Sequence, residues 1–270
     1  DVGEFPNLRF PDLEKTTLSN GMKVILAERH DIPVVDFNWL FDAGYAADQF
    51  GLAGTASMAM GMLDEGTKTR SALAISAEKD KLGANLGSGS GLDICNVWLS
   101  ALKENLDGSL ALAADVILNP VFPEYELDRL KKQRMARIRQ EKVRPFSMAL
   151  RVFPQLVYGQ DHAYSNPLTG SGTEASTMAM TREDLADFHN TWLQPNNSTL
   201  VVVGDITLEE LVPKLEKNFS RWNNTATPPV KNINDVAQAA KSRVFLIDKP
   251  GSVQSVLIAG HLAPPTSNPD

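Results

Sequence analysis

Thiol and imidazole are scarce in this 270-residue chain, which has one cysteine and four histidines. A lone Cys95 rules out an internal disulfide, and its place in an alternating apolar run makes it a small core residue, silent on redox compartment. His30, His162, His189 and His261 stand apart, with no partner at metal-ligand spacing. His30, beside Asp31 in a turn, reads as a surface residue, and His189, inside an amphipathic segment, as a core or interface one. No apolar run approaches the roughly 18–20 residues of a membrane span. No charged-then-apolar leader opens the chain, and Asp1 in place of an initiator methionine is expected of a processed or excised chain. Positive charge is in deficit too: the net charge is −7, which argues against a nucleic-acid footprint. The one basic cluster, 129–144, alternates with apolar positions at helical spacing, as a solvated helix face does. Gly87-Ser88-Gly89-Ser90-Gly91 lacks both the His/Asp partners of a nucleophilic serine and the lysine of a phosphate-binding loop.

What is present is a core-forming composition, 43% hydrophobic, in which strand-like and helix-like segments interleave. Asn20-Gly21 between two strand-like runs predicts a hairpin with a type I′ turn. Residues 34–41 and 94–102 alternate as strands, and 199–203, closed by Gly204, reads as a strand buried on both faces. Ser71 caps a helix that Gly83 ends, with Leu73, Ala77 and Leu82 facing inward. Residues 106–118 form a core helix stopped by Asn119-Pro120, and Pro123 opens a long charged helix that Pro145 ends. Thr181-Arg182-Glu183-Asp184 resembles a capping box ahead of Leu185, Phe188 and Trp192, and 207–222 is the last clear helix. Residues 223–240 lose periodicity and read as a linker, after which 243–247 and 253–259 are expected to be strands joined at Lys249-Pro250-Gly251. Two strands cannot close a core, so 241–270 is expected to open a second, truncated domain after a first one at 1–222. No internal repeat is present.

Several phrases recur in a fixed order: Leu18-Ser19-Asn20-Gly21-Met22-Lys23-Val24, Phe41-Asp42-Ala43-Gly44, Gly51-Leu52-Ala53, Gly66-Thr67, Leu82-Gly83-Ala84 leading to Asp93, Tyr158-Gly159, His162-Ala163-Tyr164, Gly170, Phe188-His189, Pro195-Asn196-Asn197 and Val201-Val202-Val203-Gly204-Asp205. Any one is weak. Together, over 8–263, they resemble the pitrilysin/insulinase family of zinc peptidases, which includes mitochondrial processing peptidase and many bacterial proteases. The resemblance implies an α/β (α+β) fold, a mixed and largely antiparallel sheet covered by helices, of which two make one half of a peptide-enclosing clamshell.

Active members of that family carry H-x-x-E-H on a helix directly after Gly-Leu-Ala. By the resemblance, the two histidines fall here on Gly54 and Met58 and the general base on Ser57, and none of the three side chains can do the work. The third ligand, a glutamate on a later helix, falls by the same matching on Arg137, a fixed cation where the metal charge would be. The family's substrate-pairing strand corresponds to Gly87, Ser88, Gly89 and Ser90, an edge strand or a flexible loop. The expectation is therefore a non-catalytic member or half, with no cofactor of its own and no zinc site. It would pair with a zinc-bearing half, on a separate chain or the same polypeptide, to complete a chamber for an extended peptide. The rival expectations are an active zinc endopeptidase with unusual ligands and a purely structural subunit. A bacterial source and a periplasmic or cell-envelope location are expected over a cytoplasmic one.

Overall fold

The computed structural model describes residues 11–223, 226–265 and 268. The start of the family resemblance at 8–10, two linker positions at 224–225, and 266, 267, 269 and 270 lie outside the described residues. The described strands are β1 (Glu14–Thr17), β2 (Lys23–Glu28), β3 (Val34–Asp42), β4 (Asn85–Ser90), β5 (Ile94–Leu102) and β6 (Ser198–Gly204). They form one sheet in the order β1-β2-β6-β3-β5-β4, parallel only where β2 meets β6. One face of this mixed, mostly antiparallel sheet carries Val35, Phe37, Trp39, Phe41, Cys95, Val97, Leu99, Leu200 and Val202, all buried. Helices α1 (Thr55–Gly61), α2 (Ala72–Leu82), α3 (Leu106–Leu118), α7 (Arg182–Trp192) and α8 (Leu208–Phe219) contribute to the same core, as does Leu127 of α4 (Glu124–Val143), and α4 packs in turn against α5 (Pro145–Tyr158) and α6 (Glu174–Ala179). None of these helices is long and apolar enough to cross a membrane.

Local signals set most boundaries. Ser71 Oγ accepts from Ala74 N at 3.3 Å and Gly83 ends α2 in the left-handed conformation. Thr181 and Asp184 form the expected capping box of α7, which buries Leu185, Phe188 and Trp192. The inward stripe of α2 is shifted, however: Ile75 is its buried residue, Leu73 is 83% exposed and Ala77 faces water. The hairpin also differs in type. Leu18 N donates to Met22 O and Gly21 N to Leu18 O, both at 2.9 Å, and Gly21 alone has positive φ (+89°). This is a three-residue loop with glycine at the bulge position, not a type I′ turn, because Asn20 keeps negative φ and spends its side chain on Phe219 O and Met22 N. Strand β6 alternates rather than being buried on both faces, since Val203 on its outer face is 37% exposed. Pro145 ends α4 and also starts α5, which the sequence reading missed along with α6.

Past Trp222 the described backbone is irregular. The turn at 249–252 forms, with Ser252 N donating to Lys249 O at 3.2 Å and Gly251 at φ +75°, but the strands expected at 243–247 and 253–259 do not. Neither run has a ladder partner among the described residues, so strand-forming composition alone does not make it a strand. The segment is held by point contacts. Lys231 Nζ reaches Asp42 Oδ1 at 2.5 Å and the carbonyls of Ala43 and Asp93, Ala163 N donates to Asn232 O, and Gly260 lies against the Phe153 ring. His162, buried and stacked on Tyr158 at 4.7 Å, accepts from Tyr164 N through Nδ1, so its Nε2 carries the proton it donates to Asn234 O.

Candidate functional site

The site expected at residues 54–58 lies where α1 begins. After β3 the chain makes a 3-10 turn at Tyr45–Phe50, which buries Asp48 beneath the helix. The Asp48 carboxylate accepts from Gly54 N at 2.7 Å and Ala56 N at 2.8 Å, and so caps α1 from a neighbouring turn. Burial pushes Asp48 up from its ordinary 3.8 to about 7, against the pull of those two N–H groups and of Arg134.

The helix runs from Thr55 to Gly61, and Gly54 is its N-cap, not a position within it. Gly54 sits at φ +94°, and a Cβ there would stand 3.0 Å from Ser171 O and 3.2 Å from Gly172 Cα. Across this contact Gly172, at φ +67°, has room for no side chain at all: its Cβ would fall 2.0 Å from Ala53 O. The loop 170–172 thus occupies the ground on which an imidazole at 54 would have to stand. Met58 is turned into the core, 2% exposed. Ser57 Oγ donates to Gly170 O at 2.6 Å.

Facing α1 is α4, which carries Arg137 and, one helical turn before it, Arg134. Arg137 lies at the rim, its side chain 63% exposed, paired to Glu141 at 3.1 Å. Arg134 is the residue that reaches in: its Nη1 donates to Ser57 Oγ at 2.7 Å and to Gly170 O at 3.3 Å. The signal for this was in the sequence, because Leu127, Leu130, Arg134, Ile138 and Glu141 follow the inward stripe of α4 and Arg137 does not. Burial lowers the Arg134 pKa and repulsion from Arg137 lowers it further, while Asp48 and Glu141 act the other way. Glu141 is buried and bound by Arg151 Nη1 at 2.7 Å and Ser171 Oγ at 2.6 Å, and although burial raises its pKa these partners hold it below the usual range. Between the helices is a cleft of ≈ 200 Å³ lined by Ser57, Met58 and Gly61 from α1 and Leu130, Gln133, Arg134 and Arg137 from α4. Met58 thus lines the cleft without filling it.

Strand β4, holding Gly87, Ser88, Gly89 and Ser90, is ordered and last in the sheet, paired to β5 and to no other described strand. Its glycines make a bed for Trp98 directly across the ladder, since a Cβ on Gly87 would lie 2.4 Å from the indole. Ser88 Oγ donates to Met60 O at 2.5 Å and ties β4 to α1 beside the cleft. Other polar side chains that could serve a site already have partners. Asp64 binds Lys79, Glu65 binds Arg129, and His189 Nε2 meets Ile117 O at 2.7 Å. A second cleft of ≈ 330 Å³, at the Glu65–Ser71 loop, has Arg70 already clamped by Glu78 and Asp115.

Family models match most of the chain. The insulinase (peptidase family M16) model covers residues 23–158 and the peptidase M16 inactive domain model covers 179–270. The chain belongs to the insulinase family, peptidase family M16. It is 25% identical over 203 residues to an uncharacterized zinc protease of Rickettsia bellii, covering 75% of this chain and 48% of that one. It is 25% identical over 249 residues to a probable mitochondrial-processing peptidase subunit beta of Arabidopsis thaliana, covering 89% and 45%. The crystal structure of a peptidase M16 inactive domain from Pseudomonas fluorescens superposes with a TM-score of 0.78 at 25% identity, over 84% of this chain and 54% of that one. The chain thus spans about half the length of the M16 relatives it matches. The donor set does not fit the zinc of an active M16 site: glycine, serine, methionine and arginine offer no imidazole, carboxylate or thiolate where ligands would stand. Among the described residues no group of three or more His, Cys, Asp or Glu is placed to hold a metal.

Proposed function

We propose that this chain is the non-catalytic half of an M16 peptidase assembly, which pairs with a zinc-bearing half and completes a chamber for extended peptides. The observation that carries this reading is the rebuilt entrance to α1, where position 54 is a left-handed cap pressed against 171–172 and the facing helix supplies Arg134 in place of an acid. Loss of the ligands is therefore built into the backbone as well as the side chains. The open edge of β4 supports a peptide-holding role, because an extended segment can add to an unpaired edge through main-chain hydrogen bonds, and glycine and serine leave that edge unobstructed. In this reading zinc and the attacking water belong to the partner, on a second chain or a continuation of the same polypeptide.

The test is a peptidase assay on the zinc-bearing half with and without this one, with zinc measured on each. The expected outcome is that cleavage of long peptides needs both halves while zinc stays with the partner. Equal turnover with and without this half would overturn the chamber-completing role and leave a structural subunit. Stoichiometric zinc on this chain, with chelator-sensitive cleavage, would overturn the non-catalytic assignment.

A further inference from the structure

The cleft between α1 and α4 is unusual in what it leaves unsatisfied. Arg134 uses one nitrogen, Nη1, on Ser57 Oγ and Gly170 O, and its Nε and Nη2 make no hydrogen bond to any described residue. They are not sealed in, since the buried and unpartnered side-chain polar atoms among the described residues are Trp39 Nε1 and Gln194 Oε1. No described carboxylate forms an ion pair with Arg134. Asp48 turns both oxygens to backbone N–H groups, and Glu141 is taken by Arg151, Ser171 and Arg137. The second arginine, Arg137, stands at the mouth of the same cleft with most of its side chain in water. Three arginines (134, 137 and 151) thus face two acids, one of which is half-neutralised near pH 7, and the excess positive charge lines the opening.

We infer that this cleft is a carboxylate-binding subsite, in which the free Nε and Nη2 of Arg134 take a carboxylate in a two-point fork, Gln133 and Arg137 close the mouth, and Ser57 holds the guanidinium in place. Arginine held by a fixed acceptor on one side presents its remaining donors with little entropy left to lose, which is the geometry that favours a planar carboxylate over a spherical anion. The tie from Ser88 to Met60 sets β4 beside α1, so a peptide lying along β4 carries an acidic side chain, or its own C-terminal carboxylate, toward the opening. The peptide part of this inference rests on the proposed role of β4; the anion site does not.

The two are tested separately on the whole 270-residue chain. In the first arm the arginine Nε–Hε signals of 15N-labelled protein are followed by NMR during titration with N-acetyl-glutamate α-amide, N-acetylglycine and the neutral N-acetyl-glutamine α-amide. A saturating shift at Arg134 with an acid and none with the neutral amide is expected, and the two acids distinguish a side-chain from a C-terminal carboxylate. No shift, or the same shift with sodium chloride alone, overturns the site, and tighter binding of inorganic phosphate overturns the choice of carboxylate. Arg134→Gln should abolish the response and Arg134→Lys should weaken it by about tenfold, through loss of the fork. The wild-type titration stands on its own should a variant misfold. In the second arm short extended peptides carrying one Glu or Gln at successive positions are bound by fluorescence anisotropy. Preference for Glu at a single position is expected. Binding without that preference overturns the subsite as a peptide reader and leaves the β4 edge standing, whereas an Arg134 response with no peptide binding does the reverse.

Discussion

The packed unit, residues 11–222, and the segment 226–265 carry similar apolar patterns and meet opposite fates. In β3 the alternate residues Val35, Phe37, Trp39 and Phe41 are buried under helices. In the second region Val244, Leu246, Val253 and Leu257 also sit in apolar, strand-like runs and are 87–98% exposed. The difference is partnership. Strand β3 has β5 on one side, β6 on the other and helices against one face, whereas the second region touches the first through polar ties and through ring contacts at Phe153 and Trp192. An alternating pattern gains stability only when a ladder and a covering layer arrive together.

The largest expected effect breaks or keeps that contrast. Trp39→Ala should cost about 3–5 kcal/mol in urea denaturation, as for a large core aromatic, while Leu246→Ala should stay within about 0.5 kcal/mol. Similar losses at both positions would place the second region inside the cooperative core. Next come two left-handed glycines. Gly172→Ala should cost about 2–4 kcal/mol because its Cβ meets the Ala53 carbonyl, and Gly251→Ala only about 1 kcal/mol, since open space surrounds it and the strain is conformational alone. Thermal melts of the two variants at matched pH check the ordering.

The third expectation concerns the buried acid of the packed unit. Asp48 ionises near 3.8 in the unfolded chain and at about 7 in the folded one, so between those values the folded state holds more protons. Its contribution is present in full below pH 4 and is lost as pH rises through 7, at up to about 1.4 kcal/mol per pH unit. Asp48→Asn should flatten that slope and deletion of 235–270 should leave it unchanged, both measured by denaturation across pH 4.5–8. Smallest is the tie at Lys231, buried between Asp42 and two carbonyls. Lys231→Met should cost about 1 kcal/mol or less globally, because Asp42 remains solvated. Its effect should appear as faster hydrogen exchange at 231–234 with β3 unchanged.

The candidate site was legible in part. Gly54, Ser57 and Met58 were placed by the phrases around them, and their failure as ligands follows from side-chain chemistry alone. Phrase-matching singled out Arg137, which lies on the solvated face, whereas the inward stripe of α4 brings Arg134 to Ser57. Asp48 and the 170–172 loop were missed altogether, being brought to α1 from six to well over a hundred residues away.

What the amino-acid sequence determined by itself is whatever depends on neighbours within about one helical turn: the caps at Ser71, Thr181 and Thr207, the stop at Gly83 and the span of α3. Capping and periodicity act over three or four residues, so they are written locally. Only the tertiary structure decided that Arg134 meets Ser57 and the 170–172 loop, that Gly54 caps α1 against 171–172, that β4 ends the sheet and that 243–259 finds no ladder among the described residues. Each of these depends on contacts between residues far apart in the chain, where pairing and excluded volume, rather than local preference, choose among conformations the sequence alone leaves open.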